Sequence, residues 1–197
     1  MNLNPSIFNK LNVIDACSIS NILSSKILRE ATKTAKCIFC CTEFVQYECI
    51  YKPRKNYSLK DRELTKRLEN EQNQNEFKVY SLDIEDLLEI DILEKRKNLG
   101  KGELSSIAFA KRTSQAFLTD DFQARQLANN ELKINSVQTT PHLFGWLIYE
   151  NMLGDSDKDV ILNELREFNR LDGKRKLQSI FFEDMYSKAL EQRLMKS

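Results

Sequence analysis

Short apolar runs alternate with helically spaced stretches along this chain, and that alternation limits the folds open to it. Residues 11–16, LNVIDA, form a brief apolar run ending at Asp15. Ile19, Ile22, Leu23, Ile27 and Leu28 follow at three-to-four spacing, with Ser18 or Ser20 as candidate N-cap. Residues 37–41 form a second run, succeeded by Thr42 and a helical pattern through Val45, Cys49 and Ile50. A third run, FKVYSL at 77–82, leads to Asp83, a candidate cap for a helix with Ile84, Leu87, Leu88 and Ile92 on one face. Gly100 breaks that pattern, and a helix is expected from near Gly102. AFLT at 116–119 is a fourth strand, closed by Asp120 and Asp121 and followed by helical Phe122, Arg125, Leu127 and Ala128. A fifth strand is expected at 134–138, and helices over 142–153, 157–169 and 176–195. Such alternation predicts an α/β sandwich around a mostly parallel sheet of four to five strands with a helical C-terminal extension.

The chain has 197 residues, 41% hydrophobic and 30% charged, with 5 Gly and 3 Pro, which is an ordinary globular composition. That length buries about 70% of the unfolded surface without staples. Thirty Lys and Arg against 29 Asp and Glu give a net charge of +1, which excludes a uniformly basic nucleic-acid binder but not a local patch. Residues 51–67 carry such a local excess, seven bases to two acids with Tyr51 and Tyr57 interleaved, whereas residues 83–94 hold six acids and no base. No window reaches about 18 uninterrupted apolar residues, and no signal-peptide core precedes the first strand. A cytoplasmic protein without membrane contact is therefore expected. The five cysteines, an odd number crowded into the first quarter, suit reduced thiols rather than a disulfide framework.

With His142 the only histidine, two-His metal motifs are excluded. Carboxylates offer the more probable chemistry. In an open parallel sheet ligands bind beyond the carboxyl ends of the strands. Asp15 ends the first strand and Asp120 and Asp121 end the fourth. Glu48 lies about one and a half turns into the helix after the second, and Glu103 sits in the first turn of the helix after Gly102. With right-handed crossovers these acids can converge at one edge. Gathered carboxylates stay ionised only around a hard cation, and oxygen-only ligation favours Mg²⁺ or Mn²⁺. Such ions activate water and stabilise the leaving oxygen of a phosphodiester.

The same residues carry a family resemblance. Val13-Ile14-Asp15-Ala16-Cys17-Ser18 resembles the opening of PIN-domain nucleases. Thr42 to Glu48, TEFVQYE, is similar to that family's hydroxyl residue followed six positions later by a helical Glu. Gly102-Glu103 with Ser106-Ile107-Ala108 and Ala110 resembles its third acidic motif. Leu118-Thr119-Asp120-Asp121 with Ala124-Arg125 and Leu127-Ala128 resembles its fourth. The nearest branch is the prokaryotic group related to VapC-type toxins, and the likeness covers about residues 11 to 140. It implies a three-layer α/β/α PIN-like nuclease domain over 1–140, with 141–197 as a helical extension packed on it. It further implies Mg²⁺- or Mn²⁺-dependent endoribonuclease activity, with Asp15, Glu48, Glu103 and Asp121 as catalytic metal ligands and Asp120 as a further ligand. Thr119 matches the hydroxyl position that orients a carboxylate. Lys101, Lys52, Arg54 and Lys55 are candidate phosphate contacts. A toxin role, an antitoxin partner and a homodimer follow from the same branch. Two features depart from the family: Cys17 stands where Ser or Asn is frequent, and residues 52–76 are longer than in compact members.

Plainer readings accompany each residue. Asp15 can simply cap the next helix, Glu48 can be a solvated helix residue, and Glu103 and the Asp120–Asp121 pair can be favourable helix-start charges. Glu43 reads as structural. The CxxC of Cys37 and Cys40 reads as packed core rather than zinc ligation, and His142 as a helix-start or packing residue. The basic stretch can be a solvated face or a phosphate-contacting one. The rival functions are a non-catalytic PIN-like RNA-binding or protein-interaction module and a structure-directed DNA nuclease of a defence system. A phospho-accepting regulator would carry its acidic pair at the first strand, whereas here the pair follows the fourth.

Overall fold

The computed structural model describes residues 3–53, 57–168 and 176–196. Five strands form one sheet in the order β3-β2-β1-β4-β5: β1 Leu11–Ile14, β2 Ile38–Thr42, β3 Lys78–Tyr80, β4 Ala116–Leu118 and β5 Val137–Gln138. The pairings of β1 with β2, β1 with β4 and β2 with β3 are parallel, with Val13 opposite Cys40 and Ile14 opposite Leu118. β1 and β4 are buried along almost their whole length, as central parallel strands must be. Helices connect the strands: α1 Ala16–Ser24 and α2 Lys26–Thr34, α3 Glu43–Gln46, α4 Leu59–Asn73, α5 Ile84–Arg96, α6 Lys101–Thr113 and α7 Phe122–Glu131; α8 Thr140–Tyr149, α9 Asp155–Glu167 and α10 Lys176–Lys196 follow the last strand. None of the described helices is long and apolar enough to cross a membrane.

The chain divides into two compact units. The sheet unit comprises Leu11–Ser20 and Ile38–Val137. Its core gathers Val13, Phe117, Leu104, Ile107, Leu93 and Leu127. The helical unit comprises Met1–Lys10, Asn21–Cys37 and Gln138–Ser197. There α8 and α10 approach so closely that a Cβ on Gly145 would lie 3.0 Å from both Cβ and the carbonyl oxygen of Met185. Phe144 packs on Phe182 beside that contact. His142 is a packing residue, as expected. Its N–H bonds the Thr139 cap, its Nε2 lies 2.9 Å from the Asn4 carbonyl, and burial pushes its pKa down.

Several elements differ from their sequence patterns. The first helix starts at Ala16, with Ser18 inside it, because Asp15 provides the cap; Ser25 caps the second helix instead. Residue 119 falls outside β4, and β5 is confined to two residues, with Ile134 exposed. The Ile84, Leu87, Leu88 and Ile92 stripe of α5 is exposed, Ile84 by 75%, while Ile90 and Leu93 face the core. Periodicity marks a stripe but does not say what covers it. Asp83 caps α5 as expected, accepting from the Asp86 N–H at 3.0 Å.

Candidate functional site

The strand order reverses direction at β1. Successive strands β2 and β3 extend to one side of it, and β4 and β5 to the other. The carboxyl ends of β1 and β4 therefore flank the switch point, the crevice in which open α/β sheets bind ligands. Asp15 leaves β1 there and Thr119, Asp120 and Asp121 leave β4. The Asp15 N–H donates to the Leu118 carbonyl at 3.3 Å, tying the two exits together.

Asp15 is only 2% exposed. One carboxylate oxygen accepts from the Ser18 N–H at 2.7 Å, and the other accepts from the Thr119 hydroxyl at 2.5 Å. Burial pushes its pKa up to about 7, with the neighbouring Asp120 charge adding to the rise and the Thr119 and Ser18 bonds opposing it. Thr119 works in both directions, since its hydroxyl oxygen also accepts from the Asp121 N–H at 3.1 Å. Asp121 caps α7 through the Ala124 N–H at 2.8 Å. Ser18 reaches Asp120 at 3.4 Å. Asp15 and Asp121 thus each perform the helix-capping job of the plainer reading, and Thr119 links the Asp15 carboxylate to the Asp121 backbone at the switch point.

Glu48 and Glu103 come from other elements. Glu103 lies in the first turn of α6, where one oxygen accepts from the Gly100 N–H at 2.6 Å. Burial raises its pKa, and the charges of Asp121 and Glu48 raise it further, whereas Lys52 lowers it. Glu48 does not sit on an α-helix. α3 runs for a single turn and opens into a π-helical turn, Tyr47–Tyr51. From that turn Glu48 accepts from the Gly102 N–H at 3.4 Å. Thr42, at the end of β2, shares a 2.7 Å hydrogen bond with Ser105 of α6. The Ser105 and Ser106 hydroxyls both donate to the Gly102 carbonyl, which anchors the start of that helix.

Asp15 is thus electrostatically coupled to Asp120, and Glu103 to Asp121 and Glu48, with Thr119 bridging the two sets. The donor set is all oxygen, and two of its members have carboxyls that burial pushes toward neutrality. A hard divalent cation would relieve that cost, so Mg²⁺ or Mn²⁺ fits the residues in kind. Among the described residues, no three His, Cys, Asp or Glu side chains already stand grouped to hold an ion. Glu48 and Glu103 have the side-chain torsions to turn their oxygens toward a shared ion.

The chain matches no family model and none of the curated proteins compared with it.

Of the candidate phosphate contacts, Lys52 lines a cavity with Glu48 and its charge acts on Glu103, and Lys101 forms a 2.7 Å ion pair with Glu94. Arg54 and Lys55 lie outside the described residues. A cavity of about 590 Å³ adjoins the acids, lined by Glu43, Phe44, Tyr47, Glu48, Lys52 and Lys101 among others. Sequence reasoning missed Phe44 and Tyr47 as site residues, and it read Glu43 as structural. It had no signal for the π-helical turn that arranges this wall. Cys40 and Cys41 are buried in β2, where loss of water pushes both thiols up, Cys40 to about 11. Their surroundings suit core packing.

Proposed function

We propose that this chain is a metal-dependent endoribonuclease of the PIN class, built on a three-layer α/β/α fold. The observation that supports it most is that the Thr119 hydroxyl bonds both the Asp15 carboxylate and the Asp121 backbone N–H at the switch point, with Glu103 coupled to the charges of Asp121 and Glu48. Asp15, Glu48, Glu103 and Asp121 would hold one or two Mg²⁺ or Mn²⁺ ions, with Asp120 beside them. When bound, such an ion supplies charge neutralisation at the reacting phosphodiester and lowers the pKa of water. Thr119 fixes the Asp15 carboxylate and the backbone of Asp121 in one orientation. The Ser18 backbone N–H holds the opposite oxygen of Asp15 and its hydroxyl reaches Asp120, so the hydrogen bond that a Ser or Asn at position 17 would supply shifts to Ser18. Lys52 and Lys101, which line the cavity beside Glu48, would offset phosphate charge there, Lys101 on leaving its pair with Glu94. A role as the toxin of a toxin–antitoxin pair, acting as a cytoplasmic homodimer, belongs to this reading.

Asp15→Asn keeps the cap oxygen and removes the charge. It should abolish Mn²⁺-dependent RNA cleavage while leaving the circular dichroism spectrum and melting temperature near those of the parent. Cleavage at the parental rate would sink the assignment. A parallel assay on flap DNA distinguishes a DNA nuclease.

A second reading is favoured by Cys17, which stands where the family frequently has Ser or Asn. In it the chain is a non-catalytic RNA-binding or protein-interaction module. Calorimetric titration with Mn²⁺ separates the two, because such a module takes up no heat at the acids.

A further inference from the structure

The cavity beside the acids has the size and chemistry of a nucleotide subsite. Its volume of about 590 Å³ lies within the range of small-molecule pockets. Phe44 and Tyr47 contribute aromatic surface, and Tyr47 is 49% exposed, an apolar ring left in water. In the π-helical turn the Lys52 N–H donates to the Tyr47 carbonyl at 2.8 Å, five residues back. Lys52, at the end of that turn, lines the cavity together with the ring. Glu48 is both a wall of the cavity and a member of the acidic group, so a base seated here carries its phosphate toward the acids. Turns of this kind concentrate at functional sites.

Glu43 places a carboxylate in the wall of the cavity. It lines the same cavity, and the Ser81 hydroxyl donates to one of its oxygens at 2.5 Å, fixing the carboxylate. An ionised carboxylate only accepts hydrogen bonds. Uracil presents one N–H flanked by two carbonyl oxygens, which a carboxylate repels. Guanine presents N1–H and the N2 amino group side by side, matching two acceptor oxygens.

We propose that this cavity seats the nucleobase adjoining the scissile phosphate, with Tyr47 as stacking platform and Glu43 selecting guanine. The inference rests on the nuclease reading for the chain that carries the base.

The test uses the full-length protein with guanosine 5′-monophosphate and uridine 5′-monophosphate as probes, in Mn²⁺ and again in EDTA. Neither probe contains a cleavable phosphodiester between nucleotides. Guanosine monophosphate should bind more tightly than the uridine compound. Tyr47→Ala should weaken it about tenfold, the scale of one lost stack, whereas Tyr47→Phe should bind as the parent does. Glu43→Gln should bring the two nucleotides to similar affinity. Mapped RNA cuts should fall beside guanines in the parent and lose that preference in Glu43→Gln. If Tyr47→Ala and Glu43→Gln leave nucleotide affinity and cut positions unchanged while RNA is still cleaved, the subsite is overturned and the nuclease reading survives. If binding follows Tyr47 and Glu43 but no RNA is cut, the nucleotide subsite stands and the nuclease reading falls. If neither nucleotide binds, the subsite is overturned outright.

Discussion

A Cβ placed on Gly102 would stand 2.8 Å from Cδ of Glu48 and 3.1 Å from its Oε1. The obstacle is the far end of a flexible side chain, so the carboxylate can swing aside. Alanine is also favoured over glycine in a helix by up to about 1 kcal/mol. Gly102→Ala should therefore leave the urea midpoint unchanged or slightly raised. It should nevertheless reduce Mn²⁺-dependent cleavage by about tenfold or more, the scale of a displaced supporting group. A loss of activity that tracks a loss of stability would contradict this account. Legibility at the residue scale follows the same logic. Asp15, Glu103 and Asp121 stand where a strand ends or a helix begins, positions that punctuation in the sequence betrays. Thr119 is legible as the hydroxyl before the acidic pair. The closeness of Glu48 to Gly102 is not, because it depends on a π-helical turn for which no residue pattern is diagnostic.

At the scale of elements, α5 inverts its own pattern. Its apolar stripe is exposed, while Asp86 on the other side is buried. The burial is tolerable because Arg112 of α6 grips Asp86 with two hydrogen bonds of 2.8 Å. Burial alone would raise the Asp86 carboxyl, but the Arg112 bonds and charge and the Asp83 backbone bond outweigh it and hold it below its usual value. Periodicity cannot reveal a pairing that spans 26 residues and two helices. The pH dependence follows from the sign. A carboxyl that ionises more readily in the folded chain stabilises it fully above the unfolded value of about 4. That stabilisation is lost as pH falls through the folded value. Asp86→Asn should cost about 2 kcal/mol at pH 7. The gap to the parent should narrow steadily as pH falls below about 4. Denaturant titrations across that range check it, and a gap independent of pH would show that the pair is not the cause.

Over the whole molecule, the alternation of runs and helices was enough to give the α/β class, since parallel strands require long crossovers. The strand order was not legible, because nothing local states which neighbours β1 will have. Nor was the grouping of residues 21–37 with the C-terminal helices, which rests on long-range packing such as the 2.6 Å bond from the Ser25 hydroxyl to Glu164. This division has an experimental consequence. Every acid of the candidate site belongs to the sheet unit, so a bound ion acts on that unit directly. At a free concentration a hundred times its dissociation constant, an ion that binds only the folded state adds about 2.7 kcal/mol of stability. Hydrogen exchange should then slow at β1 and the start of α1, at the start of α6 and from Leu118 through the start of α7. Amides of α8 and α9 should change less. Asp15→Asn should erase the difference between samples with and without Mn²⁺. Uniform slowing across both units, persisting in that variant, would mean that the ion binds elsewhere, and the acids at the switch point would then have only their capping roles.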